Sequence, residues 1–294
     1  MDRPPFDTLL YRSPIVTIAS FRAEPSHPGF RDSGPAENHC FVFPRTSVRI
    51  VHVDRRSVVT DPNVVTFYNR DQVYFRERMT QDGDRCDWFA VEPGVLLEAM
   101  RRHDPAAADR PDAPFRFTHG PGDAESYLLQ RLVVRHLAEG GPVDPLFVEE
   151  SALRLLAQVV SHAARAWDLS MKTPEPRQED LAEAAKTVLA GELGEPLTLD
   201  EVARRAGSSV FHLCRTFRRH TGSTLHGYRT QMRLRTALER AADPGTDLTD
   251  LALDLGYSSH SHFTAAFRKV FGMAPSAFRK KATVQAVREL IGSQ

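Results

Sequence analysis

Cysteine is scarce. The chain of 294 residues carries three, Cys40, Cys86 and Cys214. That odd number, without a C-x-x-C spacing, speaks against a disulfide scaffold and against a zinc finger, and it suits a reducing compartment. No run of eighteen apolar residues occurs, so no helix is expected to cross a membrane. The opening Met1-Asp2-Arg3-Pro4-Pro5 lacks the basic-then-apolar layout of a signal peptide, and a cytoplasmic protein is expected. Net charge is missing too, since 38 Lys and Arg meet 38 Asp and Glu. Apolar residues are not depleted, at 41% of the chain, which places it among folded proteins.

The balance of charge hides a segregation. Arg204 to Lys281 holds 14 Lys and Arg against 5 Asp and Glu, a net of +9, and the remainder therefore carries −9. One part is built to meet phosphates and the other is not. A length near 300 accommodates two domains, expected at 1–170 and 179–294 with a proline-containing linker at 171–178.

The basic part repeats itself at an interval of 50 residues: Phe267 falls on Phe217, Arg268 on Arg218, Lys269 on Arg219, Gly272 on Gly222, and Phe278-Arg279 on Tyr228-Arg229. Each copy reads as two short helices around a turn glycine, Gly207 or Gly256. In the second helix of each, Leu213 and Phe217, or Phe263 and Phe267, share a buried face. The opposite stripe is small, polar and basic, which is the pattern of a helix-turn-helix. Thr198-Leu-Asp-Glu201 is a capping box opening the first copy. Thr224 to Ala242 reads as a long helix between the copies, stopped by Asp243-Pro244-Gly245. At about 28 Å it is near the 34 Å between major-groove entries one DNA turn apart.

Residues Leu181 to Lys281, and above all G-Y-x-S-x-S-x-F-x-x-x-F-R-x-x-F-G-x-x-P-S-x-F-R from Gly256 to Arg279, resemble the DNA-binding domain of the AraC/XylS family of transcription regulators. The resemblance implies base-edge contacts at Val210, Phe211, Cys214 and Arg215 in the first copy, and at His260, Ser261, Thr264 and Ala265 in the second. Ser209, Arg218, Arg219, Arg268 and Lys269 are the phosphate contacts it implies, with Ser259 also in the DNA-facing set. Arginine can grip guanine with two bonds and Phe211 can press a thymine methyl; phosphate contacts position without specifying. Where the family usually has arginine, this chain has Ala265. The plainer alternative, a merely solvated helix face, is disfavoured because the stripe follows a turn glycine and occurs twice.

Residues 1 to about 120 read as short strands rich in β-branched and aromatic residues, punctuated by Pro, Gly and Asp: Ile15–Ile18, Cys40–Phe43, Val48–Val53, Val58-Val59, Val64–Tyr68 and Trp88–Val91. An antiparallel barrel is expected, similar to the cupin-like N-terminal domain of that family. Helices are expected at Pro93–His103, Gly122–Ala138 and Asp144 to Leu169, the last two being where family members pair as homodimers. The fold class is thus α+β: a cupin-like β-barrel with a helical hairpin, then an all-α domain of two helix-turn-helix motifs joined by a long helix. Inside the barrel, Tyr68, Tyr74 and Trp88 with the cations Arg49, Arg70 and Arg76 are candidates for holding a small effector, or else plain core and surface. Cys40 and Cys86 are buried inert thiols or a redox pair. No H-x-H occurs among the strands, where His39 and His52 stand, so no metal or cofactor is expected.

The function expected is that of a sequence-specific transcription regulator responding to a small molecule, with double-stranded DNA and RNA polymerase as partners and no catalysis. The alternatives are a cupin-type metalloenzyme carrying a DNA-binding module, and a dimeric regulator that needs no ligand.

Overall fold

The computed structural model describes residues 6–53, 55–140, 142–172 and 176–280. They fall into two units, one ending at Leu169 and the other beginning at Ser170. Of the expected linker, residues 171–172 belong to the last helix of the first unit's chain and 176–178 to the next helix, while 173–175 lie outside the described residues, as do 281–294 of the expected second domain.

In the first unit, alternation of side chains builds two antiparallel sheets. Strands β1 (Asp7–Arg12), β2 (Val16–Ala23), β3 (Cys40–Pro44), β6 (Val64–Tyr68), β8 (Asp84–Val91) and β9 (His119–Pro121) form one sheet, in the order β1-β2-β8-β3-β6-β9. Strands β4 (Val48–His52), β5 (Val58–Thr60) and β7 (Tyr74–Arg78) form the other, in the order β5-β4-β7. The pleat sends residues i and i+2 to one side. In β8, Asp84, Cys86 and Trp88 face the space between the sheets. Asp87 and Phe89 point the other way, where Phe89 stacks on Phe41 with centroids 5.3 Å apart. The large sheet is therefore buried on both faces, which explains its continuous apolar runs.

The outer face is covered by helix. Helix α1 (Pro93–Arg101) follows β8, and α2 (Ala124–Ala138) and α3 (Pro145–Lys172) form the expected hairpin. Asp87, with no exposed surface, accepts hydrogen bonds from Ser20 Oγ at 2.6 Å and from Arg131 Nη1 of α2 at 2.7 Å, and Arg45 stands 3.6 Å away. A buried carboxylate without such partners would cost several kcal/mol on the order of its desolvation, so this contact ties α2 to the sheet. Helix α2 is buried along nearly its whole length, from Ser126 to Val134 without a break. It is an internal element of the protomer and presents almost no face for pairing with a second copy.

The second unit is helical: α4 (Pro176–Gly191), α5 (Leu199–Arg205), α6 (Val210–Thr221), α7 (Leu225–Ala242), α8 (Leu248–Asp254), α9 (His260–Phe271) and α10 (Pro275–Lys280). The capping box forms, with Thr198 Oγ1 accepting from Glu201 N at 3.3 Å and Glu201 Oε2 accepting from Thr198 N at 2.8 Å. The 50-residue repeat extends into packing. Phe217 meets Tyr228 at 5.3 Å between centroids and Phe267 meets Phe278 at 6.2 Å. It extends also into helix capping. Arg229 donates to the Glu192 and Glu195 carbonyls beyond α4, and Arg279 donates to those of Ala241 at 3.0 Å and Thr246 at 2.7 Å at the end of α7. Carbonyls at a helix C-terminus have no partner within the helix. Helix α7 thus closes the first copy and opens the second.

A titratable contact joins the ends of the first unit's hairpin. Asp123, the N-cap of α2, lies with Oδ2 3.1 Å from His162 Nδ1 of α3. Burial alone would raise the Asp123 carboxyl, but hydrogen bonds from His162 and Ser126 outweigh it and hold it low. The same bond raises His162 against the opposing effects of burial and Arg165. The pair's stabilisation is therefore full between about pH 4 and pH 6.5, the unfolded carboxyl and imidazole values; it is lost as pH rises through the folded imidazole value and, in acid, as pH falls through the folded carboxyl value. His162→Gln should be less stable than the parent near pH 6, and the gap should narrow by about pH 9. Urea unfolding followed by tryptophan fluorescence checks this, and an unchanged gap would contradict it.

Candidate nucleic-acid interface and internal cavity

Helices α6 and α9 begin alike. Ser209 Oγ accepts from His212 N at 3.4 Å and Ser259 Oγ accepts from His262 N at 3.2 Å, so each serine serves as N-cap. Both helices end on a left-handed glycine, Gly222 (φ 72°) and Gly272 (φ 73°). The buried faces are Leu213, Thr216 and Phe217 in α6, and Phe263, Phe267 and Phe271 in α9. The opposite faces carry the residues expected to meet DNA. Phe211, Arg215, Arg218 and Arg219 are exposed on α6, with Val210 and Cys214 half-buried; His260, Ser261, Ala265, Arg268 and Lys269 are exposed on α9, with Thr264 half-buried. Phe211 is 79% exposed. On α9 the Thr264 hydroxyl lies 3.5 Å from His260 Nε2, so these two polar groups meet each other.

The cations of this unit divide into two sets. Arg205 pairs with Glu192 at 3.0 Å, Arg240 pairs with Asp254 at 2.5 Å, Arg229, Arg233 and Arg279 hold backbone carbonyls, and Arg235 is buried. Arg215, Arg218, Arg268 and Lys269 form no ion pair among the described residues, and Arg219 donates to Gln178 Oε1 at 3.4 Å. The net +9 thus overstates what is available to a polyanion. The available part includes the outer faces of α6 and α9, with Arg177, Arg204 and Lys280 exposed on other helices.

The other site is a cavity of about 280 Å³ between the two sheets of the first unit. Tyr68, Tyr74 and Trp88 line it, joined by Phe6 and Phe21. Arg49 and Arg70 do not. Arg49 lies on the opposite pleat of β4, in register with Glu77 and 3.7 Å from its carboxylate. Arg70 sits in the turn after β6 near Asp71 and Asp112, at 3.9 and 4.0 Å. The cation of the cavity is Arg76, 4% exposed. Its Nε donates to Asp84 Oδ2 at 2.5 Å, Nη1 to Ser33 Oγ at 2.7 Å and Nη2 to Tyr74 OH at 2.8 Å. The guanidinium lies 4.3 Å from the Phe21 ring centroid and 4.9 Å from that of Tyr74. Burial works against its charge, but Tyr74 and Asp84 outweigh that and keep it protonated. Sequence reading overlooked Asp84 and Phe21. The available signal was phase, because Tyr74 and Arg76 share a face of β7 with Val48 and Ile50 of β4 beside them.

Both strand cysteines line the cavity, as free thiols. Burial pushes Cys40 up to about 12 and Cys86 well above its usual value. The ladder pairs Cys40 with Ala90 and Cys86 with Pro44. Four residues of offset separate the thiol-bearing positions by about 13 Å along the strands, beyond the roughly 7 Å a disulfide spans, so the redox pair is ruled out by register. The strand histidines act as neutral acceptors or partners of nearby amides. His39 Nδ1 accepts from Arg70 N at 3.1 Å, and His52 Nδ1 lies 3.0 Å from Gln72 Nε2. Burial lowers His39, and burial with Arg55 lowers His52 to about 4. Among the described residues no cluster of three or more His, Cys, Asp or Glu is placed to hold a metal ion, and no helix is long and apolar enough to cross a membrane.

Two helix pairs, each with a turn glycine, a capped second helix and unpaired cations on its outer face, define a helix-turn-helix DNA-binding protein. A family model described as a helix-turn-helix domain matches residues 202–281. The regulatory protein SoxS of Escherichia coli is 37% identical over 89 residues, covering 30% of this chain and 83% of SoxS. The transcriptional regulator Rob of Salmonella typhimurium is 38% identical over 97 residues, 32% of each chain. A solved structure of ToxT from Vibrio cholerae with a bound unsaturated fatty acid covers 90% of this chain and 94% of its own at 8% identity, with a TM-score of 0.36, a level at which nothing about ligands carries over. The chain belongs to the AraC/XylS family of DNA-binding transcription regulators.

Two substitutions separate reading from positioning. Arg215→Ala should cost about 1–3 kcal/mol and relax preference at one or two base pairs. Arg218→Ala should weaken all sequences alike and flatten the salt dependence by about one. With five cations on the two faces, the parent plot of log affinity against log salt should have a slope of about −3 to −5. Fluorescence anisotropy over a salt series, with binding-site selection for each variant, measures all three.

Proposed function

We propose that α6 and α9 enter successive major grooves on one side of the duplex, that the cavity of the first unit takes a small effector, and that two copies pair through α3. The observation that supports the DNA reading is the presence of unpaired cations on the outer faces of two capped helices of equal build, Arg215 and Arg218 on one and Arg268 and Lys269 on the other. At 18 residues, α7 measures about 27 Å, comparable with one turn of DNA. Base reading falls on Val210, Phe211, Cys214 and Arg215 in the first groove. In the second it falls on His260, Ser261 and Thr264, with Ala265 leaving that helix weaker in specificity. Ser209, Ser259, Arg218, Arg219, Arg268 and Lys269 position the backbone. RNA polymerase is the further partner this role requires, and the cytoplasm is the compartment in which it is exercised.

The effector that fits is uncharged. Among the described residues Arg76 is the one basic residue of the lining, which also holds Asp7, Glu37 and Asp84, and Asp84 pairs with it, so a free carboxylate or phosphate would enter an aromatic cavity without an unpaired cation to receive it. Aromatic rings and the Tyr74 hydroxyl suit a compact neutral molecule with one or two polar groups. Thermal shift on the full chain tests this with matched pairs of neutral aromatics and their acids. A neutral binder at 100 times its Kd should stabilise by about 2.7 kcal/mol, and Trp88→Ala should lose the shift. Stabilisation by acids alone would refute it.

For pairing, α3 has exposed leucines near both of its ends. Leu146 is 64% exposed and Leu169 66%. The double variant Leu146→Glu, Leu169→Glu should sediment as a monomer where the parent sediments as a dimer. An unchanged dimer would place the interface elsewhere.

A further inference from the structure

Helix α7 is not the sole tie between the two helix-turn-helix motifs. The segment after α4, Glu192 to Glu195, lies directly on the turn after α8, and two glycines permit the approach. A Cβ on Gly194 would run into the Asp254 carbonyl oxygen. One on Gly256 would run into the Gly194 carbonyl oxygen and the Arg233 guanidinium, and Gly256 is also left-handed, at φ 72°. Arg233, from the middle of α7, lies across the contact. Its Nε donates to the Leu193 carbonyl at 2.7 Å and its Nη1 reaches the Gly256 carbonyl at 3.5 Å. Its guanidinium carbon is 6.0 Å from the Tyr257 ring centroid. One turn earlier, Arg229 holds the carbonyls of Glu192 and Glu195.

We propose that this contact, Gly194 against Gly256 with Arg233 tying both, fixes the distance and angle between α6 and α9, so that the protein selects DNA by the spacing of two half-sites as well as by their base sequence. The inference rests on both helices entering DNA. Two bodies joined by one helix can swing as that helix bends; a second attachment removes the hinge. The bond from Arg233 to Leu193 also places a cation at the C-terminal end of α4, where the helix dipole favours it. Inserting one base pair between half-sites moves the second by about 3.4 Å and rotates it by about 35° around the axis. A rigid pair cannot follow both changes, whereas a hinged pair recovers part of the contact. Arg233 is suited to a positioning role. Its donors are directed at backbone carbonyls, and its removal leaves every unpaired cation of α6 and α9 in place.

The test uses the full chain and its selected operator, with sites carrying one base pair fewer, the native spacing, and one or two more. For the parent, one inserted base pair should weaken binding by about 30-fold or more, because the second helix then loses its groove. Arg233→Met keeps the side chain's stem and removes the fork. It should weaken the native site by less than about 10-fold, through lost preorganisation, and shrink the insertion penalty to about 5-fold or less. Base preferences within each half-site should not change; general destabilisation would weaken every site alike and leave the insertion penalty at the parent's value. If Arg233→Met does not fold, Arg233→Lys, which keeps the charge and loses the planar fork, carries the same expectation. A parent indifferent to spacing overturns both the two-groove reading and the tie. A spacing-selective parent whose Arg233 variants keep the full penalty overturns the tie alone.

Discussion

The DNA-binding unit depends on arginine holding backbone carbonyl. A helix ends with carbonyl groups that have no partner in the helix, and leaving them buried without one is costly. Here three arginines meet that need across helices, Arg229 and Arg233 beyond α4 and Arg279 at the end of α7. Arginine suits the task because its planar fork offers several donors in fixed directions and it stays charged when partly buried. Burial and the neighbouring Arg233 do lower Arg229, to about 10, which leaves it a cation at neutral pH. A unit rich in basic residues thus uses about half of them to hold its own shape. Of the remainder, five stand on α6 and α9.

The first unit uses the same chemistry to a different end. Arg131 and Asp87 cement α2 to the outer face of the large sheet, where the partners leave no space. Arg76 and Asp84 stand on the inner face, and there space remains. Both pairs are ionic and both are buried. The difference is that aromatic rings surround Arg76 and stop short of filling the volume between the sheets. A buried ion pair that does not close a packing gap is weak evidence of a stability role, and its place on the wall of a cavity sets it apart from the fully packed pair of Arg131 and Asp87.

Local signals were legible in the sequence. The capping box at Thr198, the turn glycines and the buried apolar pairs depend on residues within one or two turns, and they read correctly from spacing; the N-caps at Ser209 and Ser259, equally local, were not read as caps. The 50-residue repeat added what no single copy could, the equivalence of Arg229 and Arg279. Strand β1 was missed because it is an edge strand with mostly exposed side chains, defined by backbone pairing to β2 rather than by an apolar period. Strand β7 was missed because Arg76, Glu77 and Arg78 make it look like a loop. The choice of Arg76 over Arg49 and Arg70 turned on pleat and register, which no local pattern carries. Gly194 gave no signal at all, since its partner lies in the other motif.

The sharing of α7 by both copies bears on the order in which the chain acquires its shape. Synthesis proceeds from the N-terminus and elements fold as they emerge. The first motif is complete once α7 is made, because Tyr228 and Arg229 bring the aromatic contact and the carbonyl cap it needs. The second must borrow a helix already engaged, so it is templated on the first. The contact between Gly194 and Gly256 joins residues about sixty apart, and contacts of such separation form late. A nascent chain therefore completes the first motif well before the two motifs are locked to each other.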